Sequence, residues 1–159
     1  MKGINLAECA HVVNILSPVD STGGVTSKYF NMANYAHATI IIQIGVSAAA
    51  PGAVTVNEAT SYAASTTQAI AFSYYSCGTT TDVDTLGVRA AATSTGFVPS
   101  AVDKVFYVIE IDQDQLDSGY SYIAVAQANT TNSVIESMVA VLTGPRFAQS
   151  SGIQATVLA

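Results

Sequence analysis

Tryptophan is missing from this sequence, and charge is scarce: 5 Lys and Arg with 11 Asp and Glu make up 10% of 159 residues, against roughly 25% in an ordinary soluble domain. Five bases, scattered singly as Lys2, Lys28, Arg89, Lys104 and Arg146, form no patch, and the formal net charge is −6. Phosphate binding needs clustered Lys and Arg, so nucleic acid is not an expected partner. The 2 cysteines, Cys9 and Cys77, are far apart and fit neither a C-x-x-C pair nor a zinc spacing. They read as reduced, buried thiols. No run approaches the ~18 apolar residues of a membrane-spanning helix, so no membrane partner is expected. Asn5, Glu8, His11 and Asn14 interrupt any signal-peptide core near the start, which points to synthesis in a cytoplasm.

The abundant residues are Ala, Ser, Thr, Val and Ile in alternating runs. HATIIIQIG, residues 37–45, is the most strongly β-forming, with Ile40, Ile42 and Ile44 on one face and Thr39, Ile41 and Gln43 on the other. Apolar on both sides, it reads as a central strand. Further segments alternate Val54 and Val56 with Thr55 and Asn57, and Ile70, Phe72 and Tyr74 with Ala69, Ala71 and Ser73 across a strand from Gln68 to Cys77. Residues 104–127, KVFYVIEIDQDQLDSGYSYIAVAQ, read as a hairpin of two strands around an acidic turn, expected to form the centre of an antiparallel sheet. Shorter strands are expected over Val25–Phe30, Leu86–Ala91 and Val134–Leu142.

The opening is read as a helix. Asn5 and Glu8 resemble a capping box, and Leu6, Cys9, Ala10, Val13 and Leu16 recur at helical spacing before Pro18. The expected fold is therefore all-β: one antiparallel β-sandwich of jelly-roll type, with one short N-terminal helix. Residues 1–24 would form the helix and a loop, 25–143 the sandwich and 144–159 a C-terminal tail. Its core should hold Ile40, Ile42, Ile44, Val54, Val56, Ile70, Phe72, Tyr107, Ile109, Ile111, Ile123 and Val125.

Catalytic and metal patterns fail on inspection. Gly45-Val-Ser47-Ala-Ala49 lacks the second glycine and the following helix of a nucleophile elbow. Asp112-x-Asp114 followed by Asp117 has Leu116 where a calcium loop needs its third ligand, and reads as a solvated acidic turn. Asp82 and Asp84 form at best a weak cation site. His11 and His37 become ligands or bases only if the fold brings a carboxylate or thiol to them; the plain reading is structural. Asn129-Thr130-Thr131 is a formal glycosylation triplet in a loop. No catalytic, cofactor or metal residue is assigned, and no enzyme is expected.

Three stretches carry a likeness: NMANYAHATIIIQIGV, VFYVIEIDQDQLDSGYSYIAVAQA and VLTGPRFAQ. Together with the opening segment and its D-x-x-GG loop, they resemble a group of small virion proteins of tailed bacteriophages, encoded among head genes and associated with capsid decoration or cementing. The resemblance implies a non-enzymatic structural protein on the capsid exterior, with the major capsid protein and copies of itself as partners, a trimer being the leading arrangement. A tail or neck component that binds a receptor or carbohydrate is the alternative. Shell contact is expected from the segments left over once strands are assigned, through Leu6, Val13 and Leu16, through Leu86 and Arg89 in residues 78–96, and through Arg146 and Phe147. Whether the opening helix closes its own sandwich or is donated to a neighbour stays open.

Overall fold

In the computed structural model the described residues are 3, 5–78, 80–82, 84–129, 131–146, 156 and 158. The chain runs through α1 (Leu6–Cys9), β1 (His11–Asp20), β2 (Val25–Thr26), β3 (Phe30–Asn31), β4 (Tyr35–Ser47), β5 (Val54–Ala59), β6 (Thr67–Ile70), β7 (Phe72–Ser76), β8 (Ala90–Ala92), β9 (Val105–Asp112), a 3-10 turn (Gln113–Gln115), β10 (Tyr122–Gln127) and β11 (Val134–Pro145). Two antiparallel sheets pack face to face. The larger has the order β1-β11-β4-β9-β7-β8, and the smaller β2-β10-β5-β6, with β3 also on β10.

The pairing is nested. β1 pairs with β11, β2 and β3 with β10, β4 with β9, and β5 with β6. The chain is thus one long hairpin rolled on itself, and rolling adds the β4–β11 and β5–β10 ladders. That is the jelly-roll connection, with β7 and β8 as an extension of the larger sheet.

Alternation decides what is inside. On β4, Ala38, Ile40, Ile42 and Ile44 are buried while His37, Thr39, Ile41 and Gln43 face outward, and β4 lies between β11 and β9 as a central strand should. All twelve expected core residues are buried in one cluster, joined by Ile15, Phe30, Met32, Tyr35, Met138 and Leu142. Tyr74 stacks on Phe97 with centroids 4.0 Å apart, and Phe97 leans on Tyr107 at 5.1 Å, closing the β8 side of the interior.

Five expectations are corrected. The opening helix is a single turn with no buried residue, and the chain becomes β1 at His11. Helical spacing picked out Val13 and Leu16, but Val12, Val13 and Ile15 are β-branched. Their period of two puts Val13 and Ile15 inside while Val12 and Asn14 face out. Pro18 is tolerated because β1 is an edge strand, bulged between Asn14 and Leu16 and again before Val19.

Second, β9 and β10 are not paired: they belong to different sheets. The connection over residues 113–121 is too long for a tight hairpin. Buried Leu116 pins it to the core, and the Asp117 N–H donates to the Glu58 carboxylate at 3.0 Å.

Third, the strand read over Gln68–Cys77 breaks at Ala71, where the chain passes from the smaller sheet to the larger: Ile70 pairs with Val56 and Phe72 with Ala92. Fourth, the strand expected at Leu86–Ala91 is only Ala90–Ala92, and Val25–Phe30 pairs only at its two ends. Fifth, the reading of both thiols as buried holds for Cys77 and is corrected for Cys9, which is exposed on the opening turn where no residue is buried; both are free.

Candidate functional site

The densest group of interacting titratable side chains lies on the outer face of the larger sheet. β4 points His37 and Thr39 outward, and β9 points Glu110 and Asp112 outward, because each strand alternates and the opposite parity is buried. The register sets His37 across from Asp112 and Thr39 across from Glu110, leaving Glu110 diagonal to His37. The imidazole lies between both carboxylates: Nε2 is 2.6 Å from Glu110 Oε2, and Nδ1 is 2.6 Å from Asp112 Oδ1. The Thr39 hydroxyl donates to Glu110 Oε2 at 2.7 Å.

A carboxylate only accepts, so two such contacts require both ring nitrogens to carry hydrogen, which is the imidazolium form. Partial burial works against that charge, but the hydrogen bonds to Asp112 and Glu110, with their charges, outweigh it and raise the His37 pKa above the usual 6.5. The fold has brought to His37 the carboxylates that a role beyond the structural one requires.

Next to this group, Ala36, Asp112, Gln113, Asp114 and Arg146 line one surface pocket. Arg146 Nη1 donates to Gln113 Oε1 at 2.9 Å, and the Arg146 N–H donates to the Asn34 carbonyl at 2.9 Å. The acidic turn is an organised corner: the Asp112 N–H donates to Gln115 Oε1, and the Gln68 carboxamide donates to both Glu58 and Asp117. Asp112 and Asp117 thus face different partners. Among the described residues no group of three or more His, Cys, Asp and Glu is arranged to hold a metal ion.

The other sequence candidates scatter. His11 stacks on Tyr35 and accepts the Thr156 N–H at 3.4 Å. The Ser47 hydroxyl donates to the Ala49 carbonyl, while its N–H donates to Asp103. Asp82 pairs with Lys104 at 3.4 Å. Thr130 of the glycosylation triplet lies outside the described residues.

The seven docking residues divide as well. Leu6 is exposed on the helical turn. Val13, read as a docking residue, is 4% exposed and belongs to the core; Leu16 is half-buried against it. Leu86 and Arg89 are exposed beside β8, and so is Arg146 after β11. Phe147 lies outside the described residues. Sequence reasoning did not single out Val88, 92% exposed between Leu86 and Arg89, or Val98, exposed on the connection that follows β8. The alternation of Leu86 and Val88 with Gly87 and Arg89 looked like an ordinary strand.

Comparison of the chain with family models, with curated proteins and with solved structures finds no match.

Proposed function

We propose that this chain is a non-enzymatic structural protein that attaches to a larger protein surface. Following the resemblance described above, that surface is the outside of a bacteriophage head, where the chain decorates and stabilises the shell of the major capsid protein. The observation that supports this reading is the exposed apolar stretch around the end strand of the larger sheet: Leu86, Val88 and Val98 stand in solvent, with Arg89 among them. Isolated exposed apolar residues need no explanation, but several on the two connections that flank one short edge strand suit a contact surface. The charge-poor composition suits burial against protein, since interface cores are depleted of Lys and Glu. Repetition over a lattice would supply affinity through many copies.

The attachment residues in this reading are Leu6, Leu86, Arg89 and Arg146, without the buried Val13. Self-association, as a trimer at three-fold positions, goes with it. The test compares heads stripped of the protein with heads to which purified protein is added back. Added protein should delay heat-induced opening, and Val88→Lys with Leu86→Ser should abolish the delay. Equal melting of stripped and restored heads would overturn the reading. Tyr62, exposed on the β5–β6 connection, favours the receptor- or carbohydrate-binding alternative, which predicts signal on a glycan array instead.

A further inference from the structure

The two carboxylates that hold His37 are not equally fixed. The Glu110 side chain is 27% exposed and accepts from the Thr39 hydroxyl as well as the imidazole. The Asp112 side chain is 61% exposed. A neutral imidazole has one N–H and one lone pair, so on losing a proton it can donate to only one of these carboxylates while its lone pair repels the other. The remaining hydrogen stays on Nε2, toward the more buried and doubly bonded Glu110. Asp112 is the group released.

On the released side stands Arg146, lining the same pocket as Asp112. Its backbone is anchored on Asn34, and among the described residues its guanidinium hydrogen-bonds the neutral Gln113 carboxamide and pairs with no carboxylate. A charge-assisted contact with a carboxylate is stronger than a bond to a carboxamide. Asp112 and Gln115 form a capping box, so a turn of the Asp112 carboxylate gives up its contact with the Gln115 backbone N–H, while the Asp112 N–H stays bonded to Gln115 Oε1 and holds the corner.

We propose that His37 is a proton-operated switch which determines whether the Asp112 carboxylate pairs with His37 or with Arg146. The charged groups that face it are few. β9 contributes Glu110 and Asp112; the 3-10 turn contributes Asp114; β11 presents the uncharged Thr143 opposite His37, with Arg146 just beyond its end. Protonated His37 leaves Arg146 with its charge uncompensated by Asp112. Neutral His37 hands Asp112 to Arg146 and cancels that charge. If Arg146 docks as proposed above, a consequence that rests on that reading, attachment weakens as pH rises through the His37 transition.

The switch is tested without any shell, by NMR of the full chain titrated from about pH 5 to about pH 9, the range that contains histidine transitions. The His37 ring, the Asp112 carboxyl carbon and the Arg146 Nε–H resonance should shift with one common midpoint. His37→Gln should remove the step at Arg146. Asp112→Asn, which alters an exposed side chain, should also remove it while His37 still titrates, and Glu110→Gln should retain it. An Arg146 resonance that stays flat through the His37 transition of the unmodified protein, or a step that persists in Asp112→Asn, overturns the switch. Head binding measured separately across the same pH range fails or succeeds on its own, so the two readings can be told apart.

Discussion

Glu136 on β11 is the cross-strand partner of Ile44 on β4, and both side chains are sealed between the sheets, a carboxyl facing the same interior as a wholly buried isoleucine. Among the described residues neither Glu136 oxygen has a partner at full hydrogen-bond geometry; the nearby Ser21 hydroxyl donates to the Val134 carbonyl and adds only a weak interaction with the carboxyl. Burial pushes the carboxyl from 4.5 up to about 7, only partly offset by Ser21.

The sign of the resulting pH dependence follows from which state holds the proton more tightly. The folded chain does, so this contribution is favourable below the unfolded pKa of 4.5 and declines as pH rises to about 7. At 1.36 kcal/mol per unit, the loss is about 3 kcal/mol. Denaturant midpoints measured across that window should fall, and Glu136→Gln should flatten the curve. An unchanged slope in that variant would show that the carboxyl is not the source.

His37 adds a second decline, which begins before the first is complete. Its pKa is raised in the folded state, so its stabilisation is complete below 6.5 and is lost as pH rises through the folded value. His37→Gln should abolish the part of the pH dependence that sets in at 6.5 and above, leaving the Glu136 decline from 4.5 in place.

Two glycines should differ sharply when replaced by alanine. Gly96 has φ +76, and a Cβ there would lie 1.9 Å from the Val54 carbonyl oxygen, whereas Gly23 has φ +92 and open space around it. Gly23→Ala should cost about 1 kcal/mol of backbone strain. Gly96→Ala should cost well beyond about 3 kcal/mol, because β5 must move as well. Thermal midpoints of the two variants decide it.

Core truncation tests the facing of the sheets. Ile42→Ala and Phe72→Ala should each destabilise by on the order of 2–5 kcal/mol, because each side chain is enclosed in the central cluster. Near-neutral midpoints for both would contradict the packing. Light scattering checks the trimer: a mass that remains monomeric at high concentration would remove it.

The inward faces were legible because alternation is a local property, and Ile40, Ile42 and Ile44 announce their side in sequence alone. Pairing was less so. β9 and β10 looked like a hairpin because they are neighbours in sequence, yet what separates them is Leu116 binding the corner to the core, a contact no local pattern reveals. The N-terminal segment carried two periodicities at once, and tertiary packing of Val13 and Ile15 selected the shorter. His37, Glu110 and Asp112 each had the right parity, but joining them required the β4–β9 register across more than seventy residues of chain.

The nested ladder sets the order in which this protein can form. His11 pairs with Leu142, so β1, one edge of the larger sheet, has no ladder partner until β11 has been made. Closing such distant ends costs loop entropy before contacts compensate it, which makes folding slow. During synthesis β1 waits unpaired behind the growing chain, and β11 completes it by inserting between β1 and β4. A chain stopped before Val134 would leave β1 and one side of β4 bare, exposing both to association with other unfinished chains.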